Sequence, residues 1–417
     1  MPMGASAVIR GRGVGTGSRL GARPVAGHAI GSVNPVTPPG AGYRRAVLRR
    51  TRLSASLLSV LTSTSLVLAA PACAVVPAGE DADTGAGTSS ATSSAPATTP
   101  SSAPAARRSA DDAIDSVLAI SLDGLNPDAL RRLGAARTPH LHELIATGAS
   151  TLNARTERER TLTLPNHTGM VTGRRIGARQ GGHGVTWNDD RRRPRTVQAA
   201  AGGPVESVFT VVHESGGSAA VFASKTKFSL WKRSWPASID TMVIQLDNAR
   251  LTRAARRDLR RNDRELRFVH LSLPDGVGHD RGFISRASLR AVEQVDALVG
   301  ELVATIEADP EIAASTAIMV TSDHGGRGET HADPRSRDNF RVPFIVAGPG
   351  VAAGADLYDL NADDYRDPGN RRTTYRAARQ PVRNGDVANL ALDLLDLGAV
   401  PGSEHNRSLD LDVSLPK

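Results

Sequence analysis

Six short apolar runs, separated by polar turns and helical patterns, constrain the fold of this chain more than any other feature. They span residues 117–122, 219–223, 241–244, 267–273, 316–321 and 343–347. Runs of this length, rich in Val, Ile, Ala and Leu, read as buried strands. Between them lie amphipathic stretches, the clearest over 287–308. There Leu289, Val292, Val295, Leu298, Val299, Leu302, Val303 and Ile306 recur at spacings of three and four, the period of a helix with one buried face. Strands alternating with helices predict an α/β fold: a three-layer sandwich with a mostly parallel central sheet covered by helices on both faces. In such sheets ligands bind beyond the carboxyl ends of the strands. The residues that follow each run are therefore where chemistry is expected.

Carboxylates and imidazoles collect at those positions. Asp123 and Gly124 follow the first run; Asp275 and His279 stand in Leu-Pro-Asp-Gly-Val-Gly-His after the fourth; Asp323 and His324 stand in Ser-Asp-His-Gly-Gly after the fifth, and His331 follows in Thr-His-Ala-Asp. One Asp after a strand is most often a helix cap. Six such groups brought to one sheet edge, with glycines that admit close backbone approach, predict a metal site. They exceed what a single four-coordinate ion needs, so two divalent ions are expected, with zinc favoured by the mixed Asp and His donors.

The ordered segments Asp123-Gly124, Thr163-Leu-Pro-Asn166-His, Pro274-Asp275-x-x-x-His279, Asp323-His324-Gly-Gly and His331 resemble the alkaline phosphatase superfamily, in particular its branch of type I phosphodiesterases and nucleotide pyrophosphatases. The likeness runs over about 115–400, where 341–350 and a last helix at 386–397 also match. It implies an alkaline phosphatase-like core in which Asp123, Thr163, Asp323 and His324 hold one metal and Asp275, His279 and His331 the other. It further implies hydrolysis of phosphate mono- or diesters through a phospho-threonine. A threonine hydroxyl is a weak nucleophile unless a bound ion lowers its pKa. Thr163 is preferred over Thr161 because it stands in the Thr-x-Pro-Asn frame, where Pro165 fixes the chain and Asn166 is expected to donate to a non-bridging phosphoryl oxygen. His167 and His183 read as supporting residues.

The chain uses 47 Arg and only 4 Lys, yet three of those lysines are Lys225, Lys227 and Lys232. A compact ammonium chosen repeatedly against that bias suggests that Lys225 and Lys227 contact substrate phosphate. Trp187, Trp231 and Trp235 are candidates for a leaving-group wall, against a plain packing role. The polar stretch 354–379 reads as a surface insertion.

The formal net charge of +8 would point to a nucleic-acid partner if it were spread over a folded surface. It is not. Arg44, Arg45, Arg49, Arg50 and Arg52 precede an apolar run and then Ala-Pro-Ala-Cys-Ala, the order of a secretory signal. Residues 1–74 are thus expected to be an N-terminal extension and signal, and 75–110, almost wholly small and polar, a flexible tether. Residues 111–417 form the catalytic domain. Cleavage after Ala74 removes nine arginines and leaves 42 basic against 43 acidic residues. No nucleic-acid binding and no transmembrane anchor are expected of the mature form; a lipid anchor at Cys73 is the alternative to cleavage. The protein should be secreted or attached to the cell envelope and act on a small phosphorylated substrate. Two other readings compete: a tethered metal-binding protein without turnover, and a sulfatase, which would need Cys or Ser where Thr163 stands.

Overall fold

The computed structural model describes residues 113–415. The expected signal and tether lie outside the described residues. Eight strands form one sheet: β1 (Ser116–Leu122), β2 (Ala149–Arg155), β3 (Ala219–Ala223), β4 (Thr241–Ile244), β5 (Leu266–Leu271), β6 (Thr316–Thr321), β7 (Arg341–Ala347) and β8 (Ala355–Asp356). Their order is β4-β3-β5-β1-β6-β7-β2-β8. Pairings from β4 across to β6 are all parallel, and so is β2 with β8; only β7 runs antiparallel to its neighbours β6 and β2.

Alternation along β1 shows why helices are needed on both faces. Val117 and Ala119 pack into one core with Phe209, Trp231 and Leu390, while Leu118, Ile120 and Leu122 pack into the other with Leu130, Leu251, Val295 and Leu302. Each fully buried large side chain contributes roughly 1.5–3 kcal/mol, so a central strand apolar on both faces is stable only when covered twice. The expected three-layer α/β architecture is therefore what forms. The long amphipathic helix spans Arg286–Glu307, within a residue of its periodicity. Among the described residues no helix is long and apolar enough to cross a membrane.

Several boundaries differ from expectation; β7, for one, begins at Arg341, two residues before its apolar run. The run 267–273 stops being a strand at Leu271, because Pro274 sits at the first turn of a helix, Leu273–Arg281, where its missing N–H and fixed φ suit helix entry. The last helix is Val387–Leu394, preceded by a tight turn over Asn384–Asp386. The stretch 354–379 is also more than a surface insertion. It buries Tyr358 and Tyr365, and its Tyr375 hydroxyl lies 2.6 Å from Glu157 Oε2 and 2.7 Å from Glu159 Oε2.

Candidate active site

The neighbours β3, β5, β1 and β6 are parallel, so their carboxyl ends and the loops that follow lie side by side. Asp123 follows β1 directly, and Gly124 after it adopts φ of +74°. A Cβ there would stand 3.1 Å from the Asp275 Cβ, so glycine permits both the turn and the approach of the two loops. Asp275 and His279 lie one turn apart on the helix after β5, hence on one face. Asp323 and His324 follow β6 directly, Lys225 follows β3, and Thr163 is the first residue of the helix Thr163–Thr172.

Two overlapping groups result. Asp275, His279 and His331 form one, and Asp123, Asp275 and His324 the other, each with donor atoms within 4.8 Å of one another. Asp323 Oδ2 lies 3.1 Å from His324 Nε2, and Thr163 Oγ1 lies 3.5 Å from the same nitrogen. The seven residues expected to bind metal thus surround one point. Asp275 stands between the two groups and belongs to both.

Hydrogen bonds behind the cluster fix which ring nitrogens face it. His324 Nδ1 meets the Gly325 carbonyl at 2.8 Å, His331 Nδ1 the Thr161 carbonyl at 2.5 Å, and His279 Nδ1 the Glu329 carbonyl at 2.9 Å. A carbonyl only accepts, so each Nδ1 carries the proton and each Nε2 presents a lone pair inward. His279 Nε2 and His331 Nε2 are 3.0 Å apart. Among the carboxylates, Asp123 Oδ1, Asp275 Oδ1 and Asp323 Oδ2 are buried without a hydrogen-bond donor. Unmatched acceptors converging in this way fit divalent cations and nothing in the protein's own donor set.

Charge at the site follows the same logic. Burial pushes Asp123 up, but Lys225 Nζ at 2.5 Å from its Oδ2 and the hydrogen bond with His270 outweigh it and hold this carboxyl well below its ordinary range. Burial and the Asp123 charge drive Asp323 well above it. Burial likewise holds His324 and His331 below the ordinary imidazole value, keeping them neutral as ligation requires.

The family described as type I phosphodiesterase / nucleotide pyrophosphatase matches residues 117–334, a stretch that contains all seven cluster residues. The chain belongs to that family. It is therefore a metal-dependent hydrolase acting on phosphoester bonds, within the alkaline phosphatase superfamily. The murine ectonucleotide pyrophosphatase / phosphodiesterase 5, solved as an inactive variant in complex with AMP, is similar over 71% of this chain and 99% of its own, with 14% identity and a TM-score of 0.53. The human counterpart is similar over 70% and 99%, with 14% identity and a TM-score of 0.51. A sulfatase named ppz1 from Metarhizium majus is 34% identical over 74 residues, 16% of this chain. The chain spans less than a fifth of that relative's length.

Within this phosphodiesterase-family site, several side chains stand where the sequence did not put them. Asn166 is fully buried; its Nδ2 donates to the Arg160 and Leu162 carbonyls at 2.8 and 3.0 Å, and its Oδ1 accepts from Glu157 N. It cannot reach a phosphoryl oxygen, and instead holds the loop that leads into Thr163. Asn188 is the amide that lies at the site. Its Oδ1 accepts from Leu164 N at 2.9 Å and from Lys227 Nζ at 3.1 Å. His270 was hidden within an apolar run; its Nε2 lies 2.8 Å from Asp123 Oδ2. The signal was there, since an imidazole in a fully buried central strand must have a partner. The Thr161 hydroxyl donates to the His331 carbonyl. Lys225 Nζ lies 2.7 Å from Asp275 Oδ2 and 3.4 Å from Thr163 Oγ1. His167 braces the first turn of the Thr163 helix, its Nδ1 meeting the Thr163 carbonyl at 2.8 Å. The three tryptophans pack in the core.

His183 is buried away from the cluster, its Nδ1 accepting from Val185 N, and burial pushes its imidazole down to about 3. A histidine that stays neutral when folded but titrates near 6.5 when unfolded stabilises the fold fully above pH 6.5, and the stabilisation is lost as pH falls toward 3. The loss reaches about 2 kcal/mol by pH 5. Thermal unfolding should therefore fall more steeply between pH 7 and 5 for the wild type than for His183→Gln. Parallel slopes would disprove the assignment.

Proposed function

We propose that the protein is an exported enzyme that hydrolyses phosphate mono- or diesters of small molecules by attack of Thr163 Oγ1 on phosphorus. The new P–O bond to threonine forms as the bond to the leaving oxygen breaks; water then cleaves the phospho-threonine and restores the hydroxyl. The observation that carries this reading is the setting of Thr163: its hydroxyl faces His324 Nε2 and Lys225 Nζ beside three unmatched carboxylate oxygens.

Two divalent ions, zinc favoured, would be held by Asp123, Thr163, Asp323 and His324 and by Asp275, His279 and His331. When bound they would act as Lewis acids that lower the pKa of the threonine hydroxyl and of water. The protein's own groups do the rest. Thr163 opens a helix, whose dipole favours phosphoryl oxygens in front of it. Asn188 takes the role expected of Asn166, with its Nδ2 available to a non-bridging oxygen, and Lys225 and Lys227 add positive charge on that side. A nucleotide such as the AMP held by the murine neighbour belongs to this substrate class. Export through residues 1–74, ending in cleavage after Ala74 or lipidation at Cys73, completes the proposal.

Turnover of p-nitrophenyl phosphate and its bis ester by the zinc-loaded protein, with p-nitrophenyl sulfate as control, tests it. Release from either phosphate and none from the sulfate is expected; release from the sulfate alone, or from nothing, would overturn it. Asn188→Ala should lower kcat/KM by about 100-fold, the scale of losing one donor to developing oxyanion charge. A change under threefold would remove Asn188 from the mechanism.

A further inference from the structure

Beyond Asn188 the chain runs Asp-Asp-Arg-Arg-Arg-Pro-Arg, residues 189–195, and this loop is tied down at several points. Its start is fixed to the nucleophile's helix through Asn188 and Leu164 N, and Thr226 Oγ1 donates to Asp190 Oδ2 at 3.1 Å. Arg191 pairs with Asp189 and lies over the Trp187 ring. The far end is stapled by Arg233, which donates through Nε to the Arg195 carbonyl at 3.0 Å and through Nη1 to Ser229 Oγ.

Charge on this loop is out of balance. Both acids of the segment are engaged as just described, whereas Arg192, Arg193, Arg195 and Arg233 form no ion pair among the described residues. Arg192 and Arg195 are exposed, and Arg233 brackets them, its Nη2 reaching the Arg191 carbonyl at 3.5 Å and its Nε the Arg195 carbonyl at 3.0 Å; after its burial, the two neighbouring charges lower its pKa further. Guanidiniums crowded without a carboxylate repel one another, and an anion between them relieves that repulsion with paired hydrogen bonds. Arg192 is four residues from Asn188, so even a fully extended chain places it within about 14 Å. That span suits a second phosphate on the same small molecule.

We propose that Arg192, Arg195 and Arg233 form an accessory anion subsite for a second, non-scissile phosphate of the substrate. The preferred substrates are then bisphosphorylated compounds rather than simple monophosphates. The inference rests on the phosphoesterase reading above and deepens it.

The test compares phosphate release from glucose 1,6-bisphosphate and from glucose 6-phosphate by the zinc-loaded full chain and by an Arg192→Ala/Arg195→Ala variant. Both residues are exposed, so folding should survive. We expect the wild type to favour the bisphosphate in kcat/KM by at least about tenfold at low salt, with the preference shrinking as ionic strength rises. The variant should lose most of that ratio, chiefly through KM. A wild-type ratio near one, or equal losses on both substrates in the variant, would overturn the subsite while leaving the phosphoesterase intact. Failure of the wild type to release phosphate from p-nitrophenyl phosphate would instead count against the underlying function. Calorimetric titration of the bisphosphate into Thr163→Ala, with and without the arginine changes, gives a second readout: unchanged affinity would also refute the subsite.

Discussion

Thr163→Ala should lower kcat for any phosphate ester by at least about 10³-fold while leaving the fold and the bound metal largely in place. Loss of a covalent nucleophile in a hydrolase costs up to about 10⁶-fold, with a residue of catalysis retained by the groups that bind the transition state. Little else in the site can substitute. The Thr161 hydroxyl is committed to the His331 carbonyl. The imidazoles of His324 and His331 have their Nδ1 protons engaged by carbonyls, which leaves their Nε2 lone pairs facing the cluster. Thr163→Ser keeps a hydroxyl on the same backbone position and should recover much of the rate. Thr161→Ala serves as the control, since it should change kcat far less than Thr163→Ala. Should Thr163→Ala retain more than a tenth of wild-type kcat, attack by water rather than by threonine would be the better description.

Sequence alone carried the architecture because a central parallel strand is apolar on both faces and so reads as an unbroken run. β3, β4 and β6 match their runs to the residue, and β1 to within one. β2 was missed for the opposite reason. Ala-Ser-Thr-Leu-Asn-Ala-Arg lies near the sheet edge, its pairing with β7 is interrupted between Thr151 and Ala154, and Leu152 and Asn153 are only half-buried. No periodicity survives such a strand. The cluster was legible because Asp123, Asp275 and Asp323 each stand just beyond a strand end. That Asp275 reaches both groups depends on the close approach of the two loops at Gly124, a tertiary fact with no local sequence signal. The same limit explains the exchange of asparagines. Asn166 was favoured for its neighbours in sequence, whereas a helix residue three positions after Thr163 points back into the preceding loop. Asn188 arrives from a separate segment whose only recognisable feature was its basic charge.

Removing metal should abolish activity and lower the melting temperature together, and adding zinc should restore both. The carboxylates of Asp123, Asp275 and Asp323 are buried within one cluster, where Lys225 is the ammonium that pairs directly with two of them. One positive charge cannot balance three, and the site responds by keeping the Asp323 carboxyl well above its ordinary pKa. A divalent ion displaces that proton and satisfies the oxygens that have no donor. Because the ion binds the folded state alone, a free concentration 100 times its Kd stabilises the protein by about 2.7 kcal/mol. For a domain of about 300 residues, whose unfolding entropy is about 0.6 kcal/mol/K, that corresponds to a shift of roughly 4 °C. Proton release also fixes the sign of the pH dependence: metal affinity should fall as pH is lowered, since the Asp323 carboxyl, raised by burial and by Asp123, then keeps its proton in competition with the metal. Dialysis against a chelator, followed by measurement of metal content, p-nitrophenyl phosphate turnover and thermal unfolding, tests all parts at once. Full activity in metal-free protein would refute the metal-dependent mechanism. An unchanged melting temperature would show that Lys225 and the protonated Asp323 suffice to neutralise the cluster, which the three unmatched oxygens argue against.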